Sequence, residues 1–302
     1  MIERLTIIGV GLIGGSLARA LRRAGQVGEV VGCGRGKANL ERALELGVID
    51  RYSHDPAAAV QGADMVFLAV PLGAMAGVFE TLAPVLAPGA VVTDGGSVKG
   101  SVIDDARRVF GQVPPWLVPG HPIAGTENSG VEASFAELYD NRRVILTPTP
   151  ETDPAALQRV ETMWRQCGAE VISMDVAHHD QVLAATSHLP HMLAFSLVDA
   201  LSRMKENDEI FRYAAGGFRD FTRIASSNPV MWRDICVANR GELRGMLKRY
   251  ADELHDLADA LEEEDGGAHL LQIFERAKAA RDRYVDGVFD SGSNGDNAKD
   301  AK

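Results

Sequence analysis

The sequence predicts an α/β fold, with an N-terminal Rossmann-like dinucleotide-binding domain over residues 1–175 and an all-helical domain over 176–290. Three observations carry this reading. Short apolar runs alternate with helix-like segments up to about residue 174, the pattern of a mainly parallel sheet covered by helices. A glycine-rich turn follows the first of these runs. After Asp175 the strand-like runs stop and helical periodicity continues alone. A chain of 302 residues also exceeds the roughly 100–200 residues of a single domain, so two cores are expected.

Taken in order, the predicted strands are 5–8, 30–33, 65–70, 91–94, 144–147 and 170–174. The helices between them are 16–24, 37–46, 74–86, 101–110 and 154–167. In the second half, 176–204 reads as one long helix, in which Pro190 either kinks the axis or sits where a missing amide is tolerated. Further helices are expected over 230–263 and 268–288. Residues 291–302 are small and polar with nothing to bury, and a disordered tail is expected there.

Hydrophobic residues make up 46% of the chain and charged residues 24%, enough apolar surface for a sizeable core. The net charge of -11 argues against a nucleic-acid partner, which needs a clustered cationic footprint. Cys33, Cys167 and Cys236 lie far apart, so neither a zinc site nor a disulfide framework is suggested, and a reducing cytoplasm fits. The N-terminus lacks the basic start of a signal peptide, and no apolar run is long enough for a bilayer, so no membrane partner is expected.

The turn Gly9-Val10-Gly11-Leu12-Ile13-Gly14-Gly15 has the context of a dinucleotide fingerprint, between a strand and a helix. Gly9 permits the tight turn, Gly11 lets backbone approach a pyrophosphate, and Gly14 allows close packing of helix on strand. Leu12 and Ile13 open the helix whose amides face the anion, and Val70 and Pro71, at the end of the 65–70 run, belong to the same candidate site. The acidic partner of the adenine ribose, due about 20 residues on, is missing. Gly32-Cys33-Gly34-Arg35 stands there instead. Arg35 can accept a ribose phosphate, stack on adenine or lie in solvent, which leaves NAD and NADP both open.

Asp94-Gly95-Gly96-Ser97-Val98-Lys99 and the run from Gly120-His121-Pro122 to Gly130 resemble signature segments of the prephenate and arogenate dehydrogenase family. Ser187-His188-Leu189-Pro190-His191, the run Gly216 to Ala225, and Met231-Trp232-Arg233-Asp234 follow in the order this family shows. The resemblance implies that His121 is the catalytic histidine, Ser97 the serine that orients it, and Arg223 the holder of a substrate carboxylate. It places His188 and His191 in the substrate site, and Thr126, Glu127, Asp220 and Trp232 along the pocket. It also implies a homodimer built through the helical half, which agrees with the excess of apolar positions over 176–288. The chain has no room for a fused chorismate mutase domain or a C-terminal regulatory domain, so a monofunctional enzyme acting on prephenate or arogenate is expected.

The chemistry asks for these residue types independently. Oxidising a ring alcohol sends hydride to a nicotinamide while the hydroxyl loses its proton, and a neutral imidazole can take that proton near pH 7. An unperturbed histidine would do so with an ionisation at roughly 6.5. Loss of carbon dioxide needs no metal, because its electrons aromatise the ring. A guanidinium such as Arg223 can hold a carboxylate by two parallel bonds.

Other readings stand beside these. The spacing of His188 and His191 suits a metal-ligand pair or a polar stripe, and with no acidic third ligand at matching spacing no metal is assigned. Ser97 can cap the helix that follows, and Arg223 can pair with Asp220. His178 and His179 read as exposed or helix-starting residues, and 262–265 as a solvated helix end. A β-hydroxyacid or imine reductase of similar build would rely on a lysine or aspartate in the helical half. A nucleotide-sensing regulator that keeps the fold without the chemistry is the alternative outside enzymes.

Overall fold

The computed structural model describes residues 1–126, 128–205, 207–264 and 267–285. The predicted tail over 291–302 and the end of the last predicted helix, 286–288, lie outside the described residues. The chain divides into two compact units, Met1–Arg244 and a second that begins at Gly245.

The first unit opens with β1 (Ile2–Ile8), α1 (Leu12–Arg23), β2 (Val27–Cys33), α2 (Lys37–Glu45), β3 (Arg51–Ser53), α3 (Pro56–Ala59) and β4 (Met65–Leu68). It continues through α4 (Met75–Leu82), β5 (Val91–Asp94), α5 (Lys99–Phe110) and β6 (Leu117–Val118). These strands form one parallel sheet in the order β3-β2-β1-β4-β5-β6. Alternate side chains point to opposite faces. Ile7, Met65 and Phe67 join one core with Leu17 and Trp164, whereas Ile8, Val66 and Leu68 join the other with Phe79 and Val102. Burial on both faces explains why these strands read as continuous apolar runs. Each fully buried side chain such as Phe67 or Leu68 stabilises the fold by about 1.5–3 kcal/mol.

A second, smaller sheet follows. In it β7 (Gly120–Pro122) pairs antiparallel with β8 (Arg143–Leu146), and β8 pairs parallel with β9 (Glu170–Ser173), with α6 (Pro154–Gln166) between the last two. The sequence placed 144–147 and 170–174 in one common sheet. An apolar run does not reveal its pairing partner, and β3, β6 and β7 are too short to show a period.

Beyond β9 the described residues are helical. The predicted 176–204 helix is α7 (Val176–Leu183), a π-helical turn (Ala184–His188) and α8 (Leu189–Ser202) in direct succession. Pro190 lies in the first turn of α8, where its missing amide is tolerated. Then come α9 (Asn207–Arg212), α10 (Gly216–Thr222), a 3-10 turn (Arg223–Ser226) and α11 (Pro229–Ala238). The predicted 230–263 helix breaks at Asn239, with α12 (Arg240–Ala260) beyond it, and the second unit ends its described part with α13 (Ala268–Val285). Among the described residues no helix is long and apolar enough to cross a membrane.

Candidate active site

In the parallel sheet β1 lies between β2 and β4, so the chain leaves the carboxyl ends of β1 and β4 in opposite directions. Ligands of such sheets bind at this crevice. Gly9, after β1, holds φ +102°, and a Cβ there would lie 2.2 Å from the carbonyl oxygen of Ala69 after β4. A Cβ on Gly14 would lie 2.3 Å from the carbonyl of Gly9. These two glycines let the loop close, whereas a Cβ on Gly11 would meet nothing within 4 Å. Gly11 is the N-cap of α1 and offers no side chain to its first amides. Open space before unsatisfied amides, those of Leu12 and Ile13 among them, fits a pyrophosphate. Val70 is half-buried and Pro71 exposed beside this loop, and Arg35 is exposed just beyond β2.

The Asp94–Lys99 segment is pinned by a buried ion pair. Asp94, the last residue of β5, accepts from the amides of Gly96 (2.8 Å) and Gly120 (3.1 Å) and from the ammonium of Lys99. Lys99 also donates to the carbonyl of Gly120 at 2.6 Å, and both side chains are fully buried. Burial pushes the Lys99 pKa down while Asp94 opposes that. The pair fixes the residue preceding His121, which sits on β7 opposite Ile145.

His121 is buried and linked to α7 by a chain of short contacts. Its Nδ1 lies 2.9 Å from Nε2 of His179, whose Nδ1 lies 2.8 Å from Oδ1 of Asp180. Asp180 also caps α5, its two oxygens accepting from the amides of Lys99 and Gly100, each at 2.8 Å. Burial opposes ionisation of Asp180, but the bonds from His179 and these amides hold its carboxyl below the ordinary range. An ionised carboxylate only accepts, so Nδ1 of His179 carries a proton. Burial keeps His179 neutral despite Asp180, so its Nε2 is a lone pair. His121 must therefore donate through Nδ1, which leaves its lone pair on Nε2. Burial first, then His179, Lys99 and His188, holds the His121 pKa well below 6.5. The ring is a neutral base with its lone pair on a defined nitrogen.

Around this chain lie further members of the cluster. His188, at the end of the π-helical turn, is buried, and burial pushes its pKa down to about 4. His191 donates from Nδ1 to the carbonyl of Ser187 at 2.9 Å and stacks on Trp232 with ring centroids 3.6 Å apart. Its pKa is lowered by burial, and the nearby charge of Arg223 adds to this against the Ser187 bond. Asn239, at the break between α11 and α12, is buried against the carbonyl of Asp180 and Nδ1 of His188.

The structure thus gathers His121, His188, His191 and Trp232, with Arg223 beside His191. Thr126 and Asp220 are exposed, Thr126 accepting from the amide of Asn128 at 3.2 Å and Asp220 lying on α10. Glu127 lies outside the described residues. Two expectations are corrected. Ser97 does not cap α5, because Asp180 takes the amides there, and it makes no hydrogen bond to His121 among the described residues. His179, read as exposed or helix-starting, does lie in the first turn of α7 but is fully buried and bridges His121 and Asp180, while His178 is exposed.

Known proteins resemble this chain along most of its length. Residues 17–173 match the family model described as "Prephenate dehydrogenase, nucleotide-binding domain", and 175–276 match "Prephenate dehydrogenase, dimerization domain". A cyclohexadienyl dehydrogenase of Zymomonas mobilis is 39% identical over 92% of this chain and 95% of its own. The crystal structure of prephenate dehydrogenase from A. aeolicus, in complex with hydroxyphenyl propionate and NAD+, superimposes with a TM-score of 0.87. It is 36% identical and covers 94% of this chain and 99% of its own. Synechocystis arogenate dehydrogenase gives a TM-score of 0.77 at 30% identity, over 93% of this chain and 100% of its own.

Proposed function

The chain belongs to the prephenate dehydrogenase family, and from this and the Asp180–His179–His121 chain we propose how it performs nicotinamide-dependent oxidative decarboxylation of prephenate or arogenate. The single observation that carries the mechanism is the hydrogen-bonded order of those three side chains. The pyrophosphate of NAD or NADP would be held by Gly9, Gly11, Leu12, Ile13 and Gly14, with Val70 and Pro71 alongside, and the cofactor would supply the nicotinamide as hydride acceptor.

His121 accepts the ring hydroxyl proton at Nε2 as hydride leaves the same carbon. The positive charge that develops on its ring is stabilised through Nδ1 by His179 and, beyond it, by Asp180. His179 is a positioning residue, and it leaves Nε2 as the nitrogen that the substrate hydroxyl can meet. The bond from ring to carboxylate then breaks, and its electron pair completes the aromatic ring as carbon dioxide departs. The ring oxygen recovers the proton that His121 held, so 4-hydroxyphenylpyruvate or tyrosine forms without net proton loss. Arg223, His188, His191, Thr126, Glu127, Asp220 and Trp232 are assigned to the substrate, with Arg223 for its carboxylate.

A β-hydroxyacid or imine reductase would need a lysine or aspartate of the helical half at the reacting carbon. Asp180, a buried carboxylate of that half, is occupied by two amides and His179. Exposed Phe221, Val230, Met231 and Val237 in the first unit, and Leu271 and Phe274 in the second, support a homodimer through the helical residues. Unpaired Cys33, Cys167 and Cys236 support a reducing cytoplasm. Absorbance at 340 nm with prephenate and arogenate, each with NAD and NADP, tests the activity. No reduced cofactor in any of the four mixtures would overturn it.

A further inference from the structure

We infer that Asn239 is a positioning residue for the reaction proposed above: its amide fixes the proton of His188 on Nε2 and so sets that ring to donate to substrate oxygen. Asn239 is buried at the break between α11 and α12, with Nδ2 2.8 Å from the carbonyl oxygen of Asp180 and 3.1 Å from Nδ1 of His188. A carbonyl oxygen only accepts, so the atom facing it is the NH2 group, whatever the orientation drawn for the amide. The second hydrogen of that NH2 faces His188, whose Nδ1 must then accept. A neutral imidazole with an accepting Nδ1 carries its proton on Nε2, and burial keeps His188 neutral.

The consequence is a pair of donors. Nε2 of His188 and Nε1 of Trp232 are both buried without a hydrogen-bond partner among the described residues, on rings 6.2 Å apart. Unpaired buried donors are costly, and two side by side suit a carboxylate or carbonyl oxygen. Asp180 thereby governs both rings, His121 through its side chain and His179, and His188 through its carbonyl and Asn239.

The inference rests on the dehydrogenase reading, and its test separates the two. Nitrogen-15 histidine labelling of the full chain resolves the tautomer of His188, its signal identified by loss in His188→Gln. The parent should show Nε2–H. Asn239→Asp places an acceptor opposite Nδ1 and should move the proton there, and Asn239→Ser, without the bridging NH2, should weaken the preference. In both variants KM for the cyclohexadienyl substrate should rise about tenfold, the scale of one hydrogen bond to a charged group, with kcat changed far less. A parent with Nδ1–H, or variants that keep both the tautomer and KM, overturns the inference. If the parent turned over no such substrate, the dehydrogenase reading would fail and the spectra alone would decide the tautomer. Should Asn239→Asp fail to fold, the parent spectrum and Asn239→Ser still decide it.

Discussion

Nε2 of His179 lies 2.9 Å from Nδ1 of His121, and this contact decides which nitrogen of the His121 ring can accept a proton. Because Asp180 holds the far side of His179, the direction of every hydrogen bond along the chain is set from one carboxylate. The same carboxylate caps α5, so the geometry of the base is tied to the packing of α7 on the parallel-sheet core.

Replacing His179 should therefore reduce turnover without much effect on KM. His179→Ala should lower kcat by about 10²-fold, within the 10²–10⁴ that a positioned base contributes. His179→Gln, whose amide oxygen can still accept from Nδ1, should retain at least about tenfold more activity than the alanine variant. Ser97→Ala should lose less than His179→Ala. Steady-state kinetics on the three variants checks the order, and equal losses for glutamine and alanine would remove the hydrogen bond from the account.

Acid should destabilise the fold in a defined window. His121, His179 and His188 all have folded pKa values below that of an exposed imidazole, with His188 pushed down to about 4. Between about 4 and the roughly 6.5 of the unfolded chain, the unfolded state binds more protons, so stability rises with pH and is lost as pH falls. For His188 alone the loss is about 3 kcal/mol. Asp180, held below the ordinary carboxylate range, adds a further loss at lower pH as it protonates. Denaturant midpoints across this window should fall with acid, and His188→Gln should flatten the slope. An unchanged slope in that variant would contradict the assignment.

Arg223 carries a fixed charge and cannot exchange a proton, so it should act in binding. Arg223→Ala should raise KM strongly, by about tenfold or more for a lost charge-assisted pair, while kcat falls less. A normal KM would make Arg223 structural.

How far the site could be read from sequence depended on the kind of signal. Gly9, Gly14 and the run of buried strands were legible because a tight turn and a two-sided sheet each demand particular residues. His121 was singled out by the family-like segments around it, since a Gly-His-Pro loop alone suits a capped turn as well as a base. His179 was not, because nothing local marks a histidine that bonds a residue 58 positions away. Helical geometry also misleads here. Nine residues at about 100° each would put His179 and His188 on opposite faces of a regular helix. The wide turn over Ala184–His188 changes that phase, and both rings are buried in one cluster. The adjacency of His179 and Asp180 was the signal available. Asn239 was hidden inside a predicted continuous helix that the structure breaks there.

Arg35 is exposed beyond β2, at the position where an acid would otherwise hold the ribose, and its role in cofactor preference can be tested. If Arg35 pairs with a ribose phosphate, Arg35→Ala should lower kcat/KM for NADP about tenfold or more and leave that for NAD nearly unchanged. Equal effects on the two cofactors, or a parent that does not use NADP, would remove Arg35 from that role.

The most direct test of the account is the pH dependence of kcat/KM, which reports the free enzyme. An isolated histidine would give a limb near pH 6.5, but burial, His179 and Lys99 move His121 well below that. The parent should therefore be flat across neutral pH and lose activity only in acid, as His121 protonates. His121→Asn should lower kcat by about 10²–10⁴ and abolish that limb, with substrate binding little changed. A variant that keeps near-normal turnover, or retains the same acid limb, would contradict the assignment of His121 as the base.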